Sequence, residues 1–87
     1  MKVEFHRRFI KIYHKRIVSN RSLDIKFKER TKAFEKNSAD LSLHDHSLKG
    51  KWIGLRSFSI TGDVRVIYKI EGGKAYFLDI GTHNQVY

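Results

Sequence analysis

The sequence has 87 residues, enough for one folded domain and not for two, and its 40% apolar content, with six Phe, four Tyr and one Trp, supports a modest core. It contains no cysteine, which excludes disulfide bonds and cysteine-based zinc sites. Lys and Arg outnumber Asp and Glu by 18 to 9, and the net charge of +9 predicts an anionic partner. Charge alone does not distinguish RNA, DNA, a membrane surface and an acidic protein.

The N-terminal half predicts a short strand and a basic helical hairpin. Residues 1–5 alternate weakly, as an edge strand does. Over residues 7–18 the apolar side chains recur at helical spacing, while the facing positions are basic. A break at residues 19–22 follows, and Ser22 is the predicted N-cap of a second helix that ends near Lys36. The apolar positions of the two helices are Phe9, Ile10, Tyr13, Ile17, Leu23, Phe27 and Phe34.

The C-terminal half predicts three β-strands. Residues 38–51 are polar and predicted to be irregular. Strands are predicted at 53–61, 64–70 and 75–80, with turns at 61–63 and 71–74 between them. In the second strand, one face is predicted to carry Val64, Val66, Tyr68 and Ile70. The chain is therefore predicted to be a single α+β domain over residues 1–87, in which an N-terminal strand and a two-helix hairpin precede a three-stranded antiparallel meander, with the helices on one face.

No apolar segment approaches the roughly 20 residues of a membrane-spanning helix. Residues 1–8 also lack the apolar core of a signal peptide. Both features predict a cytoplasmic protein without a membrane partner.

Five histidines are candidates for chemistry. His6 and His14 lie in the basic first helix and are predicted to be solvent-exposed. His44, His46 and His83 flank the predicted sheet, so burial in the core explains them poorly. A metal site that adds Asp63 or Asp79 is one interpretation, but no known ligand spacing supports it.

Acid–base chemistry on RNA is the other interpretation. Cleavage through the 2′-hydroxyl needs a base, an acid and cations that stabilise the charge on phosphorus. Imidazoles exchange protons near neutral pH and suit the first two roles. The predicted phosphate ligands are Lys49, Lys51, Arg56 and Arg65, and the side chains predicted to stack on an unpaired base are Tyr87, Tyr68 or Trp52.

Three motifs in the C-terminal half resemble the RelE-type toxins of the YafQ branch. The first is Asp45-His46-Ser47-Leu48-Lys49-Gly50 with Gly54 and Arg56, which is similar to D-H-x-L-x-G…G-x-R. The second is Gly62-Asp63-Val64-Arg65-Val66-Ile67-Tyr68, similar to G-D-x-R-[LV]-[IV]-Y. The third is Gly81-Thr82-His83-Asn84-Gln85-Val86-Tyr87, similar to G-T-H-x-x-[LV]-[YF]. They occur in family order with family-like spacing over residues 45–87.

The resemblance implies an mRNA interferase with the RelE-like toxin fold. Such toxins cut mRNA, usually in the ribosomal A site, without a metal or other cofactor. Their partners are mRNA, the ribosome and a cognate antitoxin, whose extended and often acidic segment is expected to cover the basic surface. By position, His46 and His83 become the acid–base pair, Asp63 orients a histidine, Tyr87 positions the substrate and Arg65 stabilises phosphate charge.

One departure leaves the assignment of base and acid open. Relatives often carry a further histidine four residues before the aspartate of the second motif, and here that position is Ser59. Two alternative functions also stay open. One is a toxin of the same fold that acts on DNA gyrase, as ParE-type relatives do. The other is a non-catalytic basic RNA-binding module, in which His46 and His83 are replaceable.

Overall fold

The computed structural model describes residues 1–87 and contains one five-stranded sheet with order β1-β5-β4-β3-β2. The strand β1 runs parallel to β5, and the other neighbours are antiparallel. In chain order the elements are β1 (Lys2–Phe5), α1 (Arg7–Arg16), α2 (Arg21–Lys36), β2 (His46–Ser47), β3 (Arg56–Ser59), β4 (Val64–Glu71), β5 (Lys74–Thr82) and α3 (His83–Val86), with 3₁₀ turns at Leu41–Leu43 and Gly50–Trp52. No helix combines the length and apolarity that a bilayer crossing requires.

The predicted α+β architecture is confirmed, with two differences in the meander. A short strand, β2, lies inside the segment predicted to be irregular, because His46 and Ser47 pair with β3. The next strand begins at Arg56 rather than at residue 53. The preceding residues form a 3₁₀ turn, and Gly54 has φ +90°, which breaks the extended conformation.

The second helix begins earlier than predicted. Its N-cap is Asn20, not Ser22, because the Asn20 side-chain oxygen accepts the Leu23 backbone N–H at 3.1 Å. The Ser22 hydroxyl donates to the same Asn20 oxygen at 3.0 Å and so supports the cap from inside the helix.

An aromatic core fills the space between the helices and one face of the sheet. The Phe34 ring stacks on Phe58 at 4.6 Å and meets the Tyr68 ring edge-on at 5.0 Å. Of the predicted apolar positions, Ile10 and Ile70 are the exceptions, 43% and 49% exposed. The buried aromatic and aliphatic side chains of this core include Phe9, Ile17, Phe27, Phe34, Phe58, Val66, Tyr68, Phe77 and Ile80.

The opposite face of the sheet carries no helical hairpin and is partly open. Ile67, which points away from the aromatic core, is nonetheless buried and lines a small cavity with Trp52, Leu55 and Leu78. Helix α1 packs beside β5. Polar side chains of this face, rather than the aromatic core, are therefore the part of the sheet that can meet a substrate.

A hydrogen bond between Tyr13 and Asp24 joins the two hairpin helices. Burial and this hydrogen bond raise the pKa of Tyr13 to about 12. The same hydrogen bond lowers the pKa of the Asp24 carboxyl below its usual value. The ionised carboxylate and the neutral phenol therefore hold the hairpin together at neutral pH.

The Tyr13→Phe variant tests this hydrogen bond through its pH dependence. Wild type should be more stable than the variant below pH 10, by about 1 kcal/mol, because only wild type makes the bond. As pH rises from about 10 to 12, Tyr13 ionises first in the unfolded chain, so the wild-type advantage should shrink. Urea unfolding at several pH values measures the difference. An advantage that stays constant up to pH 12 would contradict this account.

Candidate active site

The pairing of the strands places the candidate residues on the open face. His46 on β2 pairs with Ser57 on β3. Two residues further along β3, on the same face, Ser59 pairs with Arg65 on β4, and Arg65 in turn pairs with Gly81 on β5. Side chains of alternate strand residues point to the same side of a sheet. The open face thus presents a histidine on the edge strand β2 and a cation on β4, beside the strand that leads to His83.

A groove of about 520 Å³ lies at the edge of the sheet, where β2, the turn that joins β3 to β4, and helix α2 meet. His44, His46 and Arg65 line it, together with Lys26 and Arg30 from α2. No acidic side chain lines the groove. Three permanent cations in one concave site attract a polyanion strongly.

The environment of His46 fixes which ring nitrogen is available. Its Nδ1 lies 3.0 Å from the carbonyl oxygen of His44, which stands in a left-handed conformation with φ +51°. A carbonyl oxygen only accepts, so Nδ1 carries the proton in this contact. The exposed Nε2 of the neutral ring is therefore the proton acceptor.

A second cluster forms where β5 passes into α3. The strand predicted at residues 75–80 extends to Thr82, and α3 starts at His83, because the Thr82 and Gln85 side chains form a capping box at its N-terminus. The Tyr87 ring lies 4.7 Å from the His83 ring and 5.9 Å from Trp52. The Lys51 ammonium lies 5.5 Å from the Trp52 ring centroid and so adds a cation to this cluster.

Gly81 is the point of closest packing at this junction. A Cβ atom there would lie 2.7 Å from the Gln85 side-chain oxygen and 2.9 Å from a terminal nitrogen of Arg16. That Arg16 nitrogen donates to the Ile80 carbonyl at 3.0 Å and approaches the Asp79 carboxylate at 3.3 Å. The absence of a side chain at Gly81 therefore lets α1 and α3 meet over β5.

The Gly81→Ala variant should loosen the α3 cap. The added methyl group displaces the Gln85 side chain from the Thr82 backbone N–H, at a cost of about 1 kcal/mol. Because α3 carries His83 and leads to Tyr87, the RNA cleavage that the motifs predict should fall by a larger factor than this loss of stability explains. Thermal unfolding and a cleavage assay measure the two effects. Wild-type cleavage in this variant would show that the position of α3 is unimportant.

The structure does not pair Asp63 with a histidine, contrary to the role that the resemblance implies. Asp63 lies in the exposed turn between β3 and β4, where its backbone N–H donates to the Thr61 hydroxyl at 3.3 Å. Val64 on β4 pairs with Thr82 on β5. Asp63 directly precedes Val64, and His83 directly follows Thr82. The two residues are thus neighbours, but no hydrogen bond or ion pair joins their side chains.

Arg56 has a different role from the predicted phosphate contact. Its Nε and Nη2 donate to one oxygen of Asp45 at 2.8 and 2.7 Å, and the Tyr68 hydroxyl donates to the other oxygen. The hydrogen bonds that Arg56 donates to Asp45 raise the pKa of the guanidinium, while burial and the hydrogen bond to Asp45 raise the pKa of Tyr68. Tyr68 is 1% exposed, so the alternative that it stacks on a base is wrong.

Lys49 is exposed and forms no ion pair, so the structure leaves it available for phosphate. His6 and His14 are exposed, as predicted. No group of three His, Asp or Glu side chains is arranged to hold a metal ion. Sequence reasoning missed Lys26 and Arg30, although their spacing of four residues on a predicted helix placed them on one face.

Solved structures define the class of protein. The chain resembles the toxin in a YoeB–YefM complex from Staphylococcus aureus, at 18% identity over 95% of this chain and 97% of the other, with a TM-score of 0.70. That likeness shows a shared fold, that of the YoeB and RelE-like toxins. No curated protein sequence gives a significant match.

The family model described as bacterial toxin of type II toxin–antitoxin system, YafQ, matches residues 1–87, so the chain belongs to the YafQ toxin family. It is similar to YafQ from Escherichia coli, at 25% identity over 99% of this chain and 97% of the other, with a TM-score of 0.79. It is equally similar in sequence to the toxin in the E. coli DinJ–YafQ toxin–antitoxin complex, at 25% identity over 99% and 96%, with a TM-score of 0.77.

Proposed function

We propose that this toxin is a metal-independent endoribonuclease that cleaves mRNA in the ribosomal A site. The observation that carries the proposal is the arrangement of the open sheet face. His46, whose Nδ1 faces a carbonyl oxygen so that Nε2 is the acceptor of the neutral ring, lies on the edge strand β2, Arg65 lies on β4, and His83 follows the end of β5. Membership of the YafQ family supports the same activity.

The proposed reaction needs no group outside the protein and RNA. His46 Nε2 takes the proton of a ribose 2′-hydroxyl, and the 2′-oxygen attacks the adjacent phosphorus. The bond from phosphorus to the 5′-oxygen breaks, and His83 gives that oxygen its proton. The products are a 2′,3′-cyclic phosphate and a 5′-hydroxyl.

The separation of the two histidines suits a substrate between them. They do not touch each other, since β3 and β4 lie between β2 and β5. Across the sheet, three strand spacings amount to about 14 Å between the backbones. Along the strands, His46 is level with Asp79, and His83 follows four residues later, which adds about 13 Å in that direction. The gap is wide enough for a nucleotide, and the two imidazoles are proposed to approach its phosphodiester from different sides.

The surrounding cations and aromatic rings have separate proposed roles. Arg65 stabilises the charge that develops on the phosphate, and Lys49 and Lys51 neutralise neighbouring phosphates. The Tyr87 ring, with Trp52 beside it, stacks on a base of the mRNA. Asp63 is proposed to contact His83 only once RNA is bound.

The proposed cellular partner, besides mRNA and the ribosome, is an antitoxin. The similar toxins from E. coli and S. aureus were solved in complex with DinJ and YefM, respectively. The net charge of +9 favours an antitoxin with an acidic extended segment that folds on binding.

Inducible expression tests the proposal. Wild type should arrest growth and fragment mRNA, whereas the His46→Ala, His83→Ala and Tyr87→Ala variants should not. His14→Ala is the matched control, because it removes an exposed histidine from α1, away from the groove. Toxicity that persists in all three site variants would instead favour a non-catalytic RNA binder or a target such as DNA gyrase.

A further inference from the structure

Four buried side-chain atoms in the chain have no hydrogen-bond partner within the protein. They are Thr31 Oγ1, Ser57 Oγ, Arg65 Nε and Tyr87 Oη. Buried polar groups in native proteins are nearly always paired, so each exception requires an explanation. Two of the four belong to residues already placed in the proposed site, and a third, Ser57, is the direct strand partner of His46.

Ser57 is the most deeply buried polar residue of the open face, at 1% exposure. It lies between His46 on β2 and Ile67 on β4, and Arg65 is its diagonal neighbour on the same face. Helix α3, which leads to Tyr87, packs on β4 and β5 over this face, since Gln85 stands directly beside Gly81. The three unpaired atoms therefore belong to one region.

The chemistry of these atoms identifies the missing partner. The Arg65 Nε–H is a donor only, and the Ser57 and Tyr87 hydroxyls each carry a hydrogen that lacks an acceptor. A phosphate oxygen is a strong acceptor for a guanidinium and for hydroxyl groups, and a nucleic-acid ligand supplies it.

We propose that Ser57 is a further phosphate-binding residue, which acts with Arg65 and Tyr87 on the scissile phosphate of the RNA. This proposal rests on the proposed nuclease function. Because Ser57 is covered in the free protein, the contact forms when RNA binding shifts the side chains that lie over the sheet. The free-energy cost of the unpaired Ser57 hydroxyl in the free protein is then offset by its hydrogen bond to the phosphate in the complex.

This role predicts opposite effects on stability and activity. Ser57→Ala removes an unsatisfied buried hydroxyl, so the melting temperature should stay the same or rise. Cleavage of mRNA on programmed ribosomes should fall about 10²-fold, because a donor to the developing charge is lost. Ser57→Cys preserves the volume but offers only a weak donor, and it should lose activity as Ser57→Ala does.

Thr31→Val is the matched control. It removes the one unpaired buried hydroxyl that lies outside the proposed site, on α2 in the groove between the hairpin helices, and should stabilise the protein without a change in cleavage. Wild-type cleavage by Ser57→Ala, or an equal loss in Thr31→Val, would overturn the role of Ser57 while leaving the nuclease proposal intact. Absence of cleavage by the wild-type protein would reject both proposals together. Loss of cleavage in His83→Ala but not in Ser57→Ala would reject only the role of Ser57.

Discussion

Replacing His83 with alanine is expected to lower mRNA cleavage by about 10²- to 10⁴-fold, the range in which a lost general acid reduces a rate. His83 is exposed and its side chain forms no hydrogen bond, so the fold should not depend on it. The centroid of its ring lies 4.7 Å from that of Tyr87, and this contact contributes at most about 1 kcal/mol to the free energy of unfolding. The activity loss should therefore occur in a protein that unfolds almost as wild type does.

Single-turnover cleavage on programmed ribosomes measures this effect, with urea unfolding of the same preparations. His14→Ala serves as the control for loss of an exposed histidine. Cleavage by His83→Ala within threefold of the wild-type rate would remove His83 from the mechanism. The proton would then have to reach the leaving oxygen from another donor.

Replacing Asp45 with alanine should have the largest effect on stability among the polar residues of the site. The change leaves the Arg56 guanidinium and the buried Tyr68 hydroxyl without their shared acceptor. We expect a loss of about 2–3 kcal/mol, at the lower end of values for buried pairs because Arg56 is 38% exposed. Cleavage should fall as well, since Asp45 immediately precedes His46 and its bonds to Arg56 and Tyr68 hold this part of the chain in place.

Urea unfolding of Asp45→Ala and of Glu71→Ala provides the comparison. The Lys69–Glu71 pair is exposed, at 41% and 67%, and its removal should cost less than about 0.5 kcal/mol. Equal unfolding free energies for the two variants would show that the Asp45 cluster is not a structural anchor. Cleavage at the wild-type rate in a destabilised Asp45→Ala would show that it does not position His46.

The sequence was informative where local pattern determines structure. The helical hairpin and the meander followed from apolar periodicity and from the turns at Gly62 and Gly72-Gly73. Motif order singled out His46 and Arg65, which the sheet places on one face, and His83, which begins α3 directly after β5. The capping-box pattern from Thr82 to Gln85 was also readable, and it would have predicted the start of α3.

Other features depend on contacts that no local pattern reveals. Arg56 is predicted to bind phosphate because it is one of the cations of the C-terminal half, yet its partner Asp45 lies 11 residues earlier, beside the strand β2 that pairs with β3. Ser57 gave no signal, since one serine in a strand is compatible with many roles. The resemblance implies that Asp63 orients a histidine, but the Asp63 side chain, in the turn between β3 and β4, forms no hydrogen bond with His83. In each case the decisive quantity is the identity of a spatial neighbour.

The most direct test of the central claim is the chemistry of the RNA ends that the purified toxin produces on translating ribosomes. Attack by the 2′-hydroxyl with acid–base catalysis by His46 and His83 predicts a 2′,3′-cyclic phosphate and a 5′-hydroxyl. Cleavage that leaves a 3′-hydroxyl and a 5′-phosphate, the products of attack by water rather than by the 2′-hydroxyl, would contradict the account.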